Sequence, residues 1–262
     1  MKAIILAAGK GTRLDGTAVK PKCLVEIGGV TLLQRQIETL RSLNLNQIVI
    51  VVGFAAESIR EQCDDSIRFV ENTDFAETSS LYSLWLAREH LADGFVVLNC
   101  DVLFHPQLLA NLLESSCDNA LLISRLENQA VPLGDEEMKI RLHDDLVVDI
   151  SKEMNPLEAD GENVGIVKFG PTGAKALVRY LNELVSSGAL KDWAPRAFLE
   201  FARHHALHAL STNGLPWIEI DFPEDYQRAV SEIYPQIESL VSPWTSNFHP
   251  TETSPAMSFD ES

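Results

Sequence analysis

Residues 3–14 read AIILAAGKGTRL, an apolar run that ends in a glycine-rich turn. The apolar run predicts a strand over residues 3–8 that is buried on both faces, as a central strand of a parallel sheet requires. Amphipathic periodicity then predicts a helix over Leu32–Leu43, and the run IVIVV predicts a second strand over Ile48–Val52. Because a strand, a helix and a strand in this order form a βαβ unit, an α/β fold with a parallel sheet is expected.

The alternation of strands and helices continues through the first half of the chain and changes in the second. Apolar periodicity predicts helices at residues 55–62, 79–91 and 106–114 and strands at residues 67–70, 95–99 and 120–124. The run MKIRLHDDLVVDISK then predicts a hairpin that turns at His143-Asp144-Asp145. Later come a strand over residues 161–170, a helix opened by Pro171, a strand in WIEID at residues 217–221 and a helix after Pro223. The second half is therefore expected to form an α+β part rather than a continuation of the wound sheet.

The charge balance excludes some classes of partner. The chain of 262 residues carries a formal net charge of -17, from 38 acidic and 21 basic residues. Such a surface repels polyanions, so neither nucleic acid nor an anionic membrane is an expected partner. A few Lys and Arg side chains at short range are still sufficient to bind a small anionic substrate.

Cysteine spacing and the chain's final stretch indicate the compartment and the limits of the folded part. The four cysteines show no CxxC spacing, which argues against a zinc site or a disulfide framework and predicts reduced thiols. Since no apolar run is long enough to span a membrane, the expected compartment is the cytoplasm. Residues 242–262 are rich in Ser, Thr and Pro and have no apolar period, so a disordered tail is predicted after residue 241.

The glycine-rich turn is a candidate phosphate-binding loop. Gly9 and Gly11 allow the backbone to approach phosphate oxygens, while Lys10, Arg13 and Lys22 supply positive charge. The alternative is an ordinary tight turn after a strand, because a G-x-G spacing alone has low specificity. A dinucleotide-binding motif fits poorly, since a polar stretch rather than a helix follows the glycines.

Two acidic residues follow apolar runs and are candidate metal ligands. Asp101 follows the strand FVVLNC and Asp221 follows WIEI, so both are expected to project into one crevice at the sheet edge. Carboxylate oxygens are the ligands that Mg²⁺ prefers. Taken alone, an Asp at a strand end is more often a turn or helix-capping residue. Glu219 is a neighbour of lower rank, and Asp225 is expected in the first turn of the following helix.

The combination of these motifs resembles the nucleoside-diphosphate-sugar pyrophosphorylase-like nucleotidyltransferases. The opening run followed by Pro21-Lys22 is similar to their first signature, and NCDVLF and EIDFPEDYQRA are similar to their metal motifs. The resemblance implies a three-layer, Rossmann-like mixed sheet of the GT-A-like type over residues 1–241, with an inserted acceptor-binding α+β part. It implies that Arg13 and Lys22 neutralise the α- and β-phosphates, and that Asp101 and Asp221 are catalytic and hold Mg²⁺. The implied nucleotide-binding residues of the loop are Leu6, Ala7, Ala8, Gly9, Lys10, Gly11, Thr12 and Arg13, together with Lys22.

The segment ENTDFAETSSLYSLWLA resembles the base-reading stretch of small cytidylyltransferases that act on phosphocholine, inositol phosphate or aminoethylphosphonate. The resemblance implies that Thr78, Ser79 and Ser80 face the base and that CTP is the nucleotide. Ser79 is also suited to cap a helix, and the two roles are compatible. In the phosphocholine enzymes asparagines are expected near the positions of Ser79 and Ser80, and this chain departs from that pattern. The base preference therefore stays open.

The implied acceptor site draws on three later segments. Lys152, Glu162 and Asn163 match positions that hold the acceptor's phosphate and polar body, and Trp193 and Arg196 resemble a segment near the acceptor pocket. The alternative for Trp193 is a buried core aromatic. A quaternary ammonium needs an aromatic cage, and residues 124–154 contain no Trp, Tyr or Phe, which disfavours phosphocholine as the acceptor.

The function that the resemblance implies is nucleotidyl transfer. An acceptor phosphate or phosphonate attacks the α-phosphate of CTP in line, with Mg²⁺, and pyrophosphate is released. The partners are small molecules, and a homodimer is compatible with the sequence. Three alternatives remain: a sugar-1-phosphate nucleotidyltransferase, a non-catalytic nucleotide-binding regulatory protein and, least favoured, a Rossmann oxidoreductase.

Overall fold

The computed structural model describes residues 1–11, 20–126 and 133–241. Thr12 and Arg13, which the sequence predicts to bind nucleotide, lie outside the described residues, as does the tail over residues 242–262.

Nine strands form one main sheet, and two short strand pairs stand beside it. The main strands are β1 (Lys2–Ala7), β4 (Ile48–Val52), β5 (Arg68–Glu71), β6 (Phe95–Asn99), β8 (Asn119–Arg125), β9 (Lys139–His143), β10 (Leu146–Ser151), β11 (Gly161–Phe169) and β12 (His208–Ser211). The pairs are β2 (Glu26–Ile27) with β3 (Val30–Thr31), and β7 (Val102–Phe104) with β13 (Trp217–Glu219). The helices are α1 (Leu32–Ser42), α2 (Ala56–Arg60), α3 (Ser80–Leu86), α4 (Pro106–Glu114), α5 (Pro171–Ser186), α6 (Pro195–Ala202), α7 (Pro223–Arg228) and α8 (Tyr234–Val241), with a π-helical segment between the last two.

The first half of the chain builds the parallel part of the sheet, in the order β5-β4-β1-β6. Side chains alternate between two cores, because successive residues of a strand point to opposite faces. Ile4 and Leu6 of β1 pack with α3, α5 and α6, whereas Ala3, Ile5 and Ala7 pack with α1, α2 and α4. The result is a sheet between two layers of helices, which confirms the predicted three-layer α/β arrangement.

The later strands join the same sheet and make it mixed. β11 pairs antiparallel with β6, and β8, β12, β10 and β9 follow in that order. β9 also pairs with the start of β11, so these five strands close into a ring. The predicted hairpin is confirmed, with Asp144 in the left-handed region (φ 56°) at its turn.

Some elements differ from the prediction. α3 ends at Leu86 instead of residue 91, and a 3-10 turn over Arg88–His90 follows it. The strands β2, β3, β7 and β12 and the helix α6 were not predicted. The four cysteines are not disulfide-bonded. Among the described residues, no helix combines the length and the apolar character needed to cross a membrane.

Candidate active site

A cavity of about 380 Å³ opens beside the carboxyl ends of β1 and β6. Parallel strands of open α/β sheets bind ligands at this edge, because the loops that leave the strands converge there. Residues from every predicted part of the site line the cavity. Those from the sequence prediction are Leu6, Ala8, Gly9, Lys10, Gly11, Lys22, Thr78, Ser79, Ser80, Asp101, Lys152, Asn163, Trp193 and Asp221.

Three carboxylates meet at one wall of this cavity. Asp101, Glu219 and Asp221 each offer an oxygen atom, and these atoms lie within 4.8 Å of one another. The antiparallel pairing of β7 with β13 brings them together, because it sets Glu219 opposite Val102. The backbone N–H of Ile220 also donates a hydrogen bond to the carbonyl of Asp101 (2.9 Å). Glu219, which the sequence ranked low, therefore belongs to the cluster.

Lys22 supplies the counter-charge. Its ammonium donates hydrogen bonds to Asp101 (3.3 Å) and to Asp221. Its side chain reaches the acids by passing over Gly11, where a Cβ atom would lie 2.6 Å from Lys22 Cγ and where φ is +61°. Burial alone would lower the pKa of Lys22, but the attraction of Asp101 and Asp221 outweighs it and raises that pKa. The absence of a side chain at Gly11 thus leaves room for the lysine.

The pKa values of Glu219 and Asp101 lie above those of ordinary carboxyls. Burial, reinforced by the negative charges of Asp101 and Asp221, raises the pKa of Glu219 to about 8. Burial likewise raises the pKa of Asp101 and outweighs the opposing effect of Lys22. When all three carboxylates are ionised, as metal ligands must be, they leave an excess of two negative charges over the Lys22 ammonium. A divalent cation with a preference for oxygen ligands fits this donor set in both charge and chemistry.

Two polar side chains support the loop that carries Asp101. Gln36 of α1 is 2% exposed, and its amide donates to the carbonyls of Asn99 (2.9 Å) and Val102 (3.0 Å), on either side of Asp101. The amide of Asn99 donates to Glu219 (3.5 Å). A signal for Gln36 exists in the sequence, because it falls on the apolar stripe between Leu32 and Leu40. The pattern does not show what a buried glutamine would hold.

The three residues expected to read the base all line the cavity, and the hydroxyls of two of them are hydrogen-bonded within the protein. The Thr78 hydroxyl donates to the carbonyl of Asp74 (2.8 Å), and the Ser80 hydroxyl accepts from the backbone N–H of Ala194 (2.9 Å). Ser79 precedes α3 at the capping position, but its side chain makes no capping hydrogen bond. Within the described part of the chain its hydroxyl has no hydrogen-bond partner, so it can meet a ligand.

Three of the five residues expected to bind the acceptor line the cavity, namely Lys152, Asn163 and Trp193. The Lys152 ammonium stands 5.0 Å from the centroid of the Trp193 ring and 3.4 Å from a Glu136 carboxylate oxygen. Trp193 is 51% exposed, so the alternative of a buried core aromatic is wrong. Glu162 does not line the cavity, and burial, with the nearby Glu137 and Asp225, raises its pKa to about 7. Arg196 lines a second cavity of about 500 Å³ that shares Lys152 and Trp193 with the first.

Of two predicted site residues on strands, Ala7 does not line the cavity and Asn163 does. The side chain of Ala7 is buried in the core on the α1, α2 and α4 face and does not line the cavity. In β11 the register with β8 shifts between Asn163 and Val167. Such a bulge re-aims side chains next to a site. Asn163 lines the cavity from the start of this bulge.

Comparisons with known proteins find relatives along most of the chain. The family model of the MobA-like NTP transferase domain matches residues 3–163, which is more than half of the chain. The choline-phosphate cytidylyltransferase of Streptococcus pneumoniae is 28% identical over 233 residues, which cover 87% of this chain and 96% of that protein. The bifunctional IPC transferase and DIPP synthase of Rubrobacter xylanophilus is 30% identical over 227 residues, 85% of this chain. The chain spans 50% of that longer protein.

Solved structures show the same architecture. The inositol-1-phosphate CTP transferase of T. maritima superimposes with a TM-score of 0.71 at 19% identity, and the match covers 92% of this chain and 96% of that one. At this identity the likeness establishes the fold alone. The mixed sheet between two helical layers is the GT-A-like fold that the sequence predicts. Glu219 and Asp221 lie beyond the residues that the family model matches, yet the structure brings them to Asp101.

Proposed function

Because the chain belongs to the family of MobA-like NTP transferase domains and is a nucleotidyltransferase, we propose that it activates a small phosphate- or phosphonate-bearing acceptor with CTP and releases pyrophosphate. The observation that carries this proposal is the convergence of Lys22 with Asp101, Glu219 and Asp221 beside the glycine-rich turn. A pure binding protein has no need for a carboxylate cluster at the point where phosphates would lie.

The reaction needs little covalent chemistry from the protein. An oxygen of the acceptor attacks the α-phosphorus, the bond from that phosphorus to the oxygen bridging to the β-phosphate breaks, and the electron pair leaves with pyrophosphate. An ionised phosphate or phosphonate is already a competent nucleophile near neutral pH. The protein must chiefly bring two anions together and hold them in line.

The residues of the cavity divide this task. The backbone at Gly9–Gly11 is suited to approach the triphosphate, and the Lys22 ammonium to neutralise it. Arg13 is proposed to assist from the same loop. Asp101, Asp221 and Glu219 would hold Mg²⁺, which when bound supplies charge neutralisation at the α-phosphate.

CTP is the proposed nucleotide on two grounds. Relatives that match nearly their whole length are named as cytidylyltransferases, among them the Streptococcus pneumoniae enzyme for choline phosphate. The Ser79 hydroxyl, which faces the cavity at the segment expected to read the base, can donate to or accept from a pyrimidine edge. Thymine and uracil, the bases of the alternative nucleotides dTTP and UTP, differ from cytosine at this same edge.

A phosphate or phosphonate is the proposed acceptor group because a second cation, Lys152, lines the cavity. Lys152 stands over Trp193 and faces the same cavity as the three carboxylates. The ammonium is held between the ring and Glu136, which limits its conformations before an anion binds. The body of the acceptor would then lie against Trp193 and Asn163.

Pyrophosphate release tests the proposal. Each of the four NTPs is offered with Mg²⁺ and a panel of acceptors: phosphocholine, inositol phosphate, aminoethylphosphonate and several sugar 1-phosphates. We expect release with CTP and a small phosphate or phosphonate, and about 1,000-fold less from the Asp221→Asn variant. Release only with UTP or dTTP and a sugar 1-phosphate would make the chain a sugar nucleotidyltransferase. Binding of Mg-NTP without release for any acceptor would favour a regulatory role.

A further inference from the structure

Lys139 is a lysine enclosed entirely by the protein. It begins β9, its side chain is 0% exposed, and it does not line either cavity. Its ammonium donates hydrogen bonds to the carbonyl of Lys152 (2.7 Å) and to the carbonyl of Glu137 (3.3 Å). Glu162 lies opposite it in the strand register of β11. We call the part of the cavity lined by Lys152, Asn163 and Trp193 the acceptor wall. Lys139 thus lies next to the acceptor wall in the structure but is not part of its surface.

Burial of this ammonium is unfavourable unless its hydrogen bonds compensate for lost hydration. A methionine would fill a similar volume with no such cost, and apolar replacements of buried charges are often neutral or stabilising. The fold alone therefore does not require a lysine here. What the lysine adds is two directed donors that fix carbonyl groups on the two sides of the β9–β10 hairpin.

The groups that Lys139 fixes belong to residues that line the cavity or adjoin ones that do. Its neighbours Glu137 and Met138 lead into β9, and Met138 lines the cavity. The carbonyl of Met138 accepts from the backbone N–H of Asn163 (2.9 Å), which also lines it. On the other side, Lys152 follows the end of β10 in a segment that makes no strand pairing. The Lys139 ammonium is the hydrogen-bond donor that holds the Lys152 carbonyl in this unpaired segment.

We infer that Lys139 is a positioning residue for the acceptor wall. By holding the main chain at Lys152, it keeps the Lys152 side chain over Trp193 and directed at the cavity. The inference deepens the proposed function and rests on it to the extent that this wall receives the acceptor. It does not predict a direct contact between Lys139 and either substrate.

The chain offers a matched control in Lys168. This lysine is 4% exposed, lies near the far end of β11, and donates to the carbonyl (3.1 Å) and the hydroxyl (2.9 Å) of Ser115. It lines neither cavity. Lys139→Met and Lys168→Met therefore remove the same charge and two hydrogen bonds each, but only the first touches the acceptor wall.

Kinetics separate positioning from general support. Lys139→Met is expected to raise the KM for the acceptor about tenfold, which corresponds to the loss of one hydrogen bond from a charged donor. The KM for CTP should stay within about twofold. Lys168→Met is expected to change neither. Equal shifts in both KM values, or a rise only in proportion to a lowered Tm, would overturn the inference.

Hydrogen exchange tests the placement without any substrate. In Lys139→Met, amides of residues 151–154 should exchange about tenfold faster than in the natural protein, whereas Lys168→Met should leave them unchanged. Unchanged exchange at these residues overturns the inference even if activity falls. If the natural protein releases no pyrophosphate with any acceptor, the proposed function fails, and exchange still decides the role of Lys139 in the wall. Should Lys139→Met not fold, Lys139→Gln serves with the same criteria.

Discussion

Replacing Lys22 by methionine should change metal binding and turnover in opposite directions. The substitution keeps the length of the side chain and removes the charge that lies between Asp101 and Asp221, 3.3 Å from an oxygen of Asp101. At an effective dielectric constant of about 20, unit charges at this distance attract by about 5 kcal/mol. The cost of burying the ammonium offsets part of this attraction. We therefore expect the free energy of unfolding to fall by about 3 kcal/mol, as for other buried pairs that lose one partner.

The same change removes a competitor for the cation site. Without the ammonium, the carboxylates of Asp101, Glu219 and Asp221 lose a positive charge that competes with a metal ion for their oxygen atoms. If about 1.4 kcal/mol of the attraction lost with Lys22 is regained in the binding of a metal ion, Mn²⁺ should bind the nucleotide-free variant about tenfold more tightly. Turnover should nevertheless fall by about 100-fold or more, since a charged donor at the developing charge is lost.

Mn²⁺ titration followed by electron paramagnetic resonance, at pH 8 and without nucleotide, measures the first effect. Pyrophosphate release and guanidinium denaturation measure the others. Lys10→Met is the control for metal affinity, because Lys10 lines the same cavity but its ammonium lies over Phe75 and makes no ion pair with the three acids. Mn²⁺ binding to Lys22→Met that is equal to or weaker than binding to the natural protein would refute the reasoning.

Three further predictions concern the same wall of the cavity. Asp101→Asn and Asp221→Asn should each lower pyrophosphate release by about 1,000-fold at saturating Mg²⁺, with an unchanged circular dichroism spectrum, because each removes a charged ligand. Gly11→Ala should destabilise the protein by about 1–3 kcal/mol in chemical denaturation and also lower turnover, since its φ is +61° and the new Cβ would displace Lys22. Burial raises the pKa of Glu162 from 4.5 to about 7, so its contribution to stability is complete below pH 4.5 and is lost as the pH rises through 7. Glu162→Gln should therefore raise the Tm above pH 7 and not below pH 4.5.

Each of these predictions has an outcome that contradicts it. Near-normal turnover in either Asp variant would remove that residue from the metal set. Gly9→Ala is the control for Gly11, because a Cβ at Gly9 meets nothing within 4 Å, and an equal loss of stability in both would contradict the argument. A Tm gain for Glu162→Gln that is the same at every pH would show that titration of this carboxyl does not affect stability.

The sequence predicted the parallel part of the fold closely because its signals are local. The strands Ile48–Val52 and Phe95–Asn99 and the helix Pro106–Glu114 have the predicted bounds. The two strands are apolar on both faces, and the helix opens with Pro106 at its first position, where proline is favoured. Such patterns do not depend on what the rest of the chain does.

Elements that depend on distant partners were missed. β7 is three residues long and carries no full strand signal of its own, and the strand predicted around Trp217–Glu219 gave no sign that β7 would be its partner. Glu219 ranked low for the same reason, since only this pairing shows that it faces the cluster. Lys139 looks like a surface residue of a hairpin, and its burial follows from what packs over it, whereas the apolar stripe predicts that Gln36 is buried but not what it binds. Long-range assembly, rather than local propensity, decides these positions.

The pairing of β7 with β13 also has a consequence for the timing of activity. A growing polypeptide that has reached the end of β11 already contains the glycine-rich turn, Lys22 and Asp101, but Glu219 and Asp221 have not yet been synthesised. The unfinished chain also lacks β12, which lies between β8 and β10 in the main sheet. Domains generally fold as units, so a chain of this length would have neither its complete sheet nor more than one of the three acids. It would consume no triphosphate until β13 has been made.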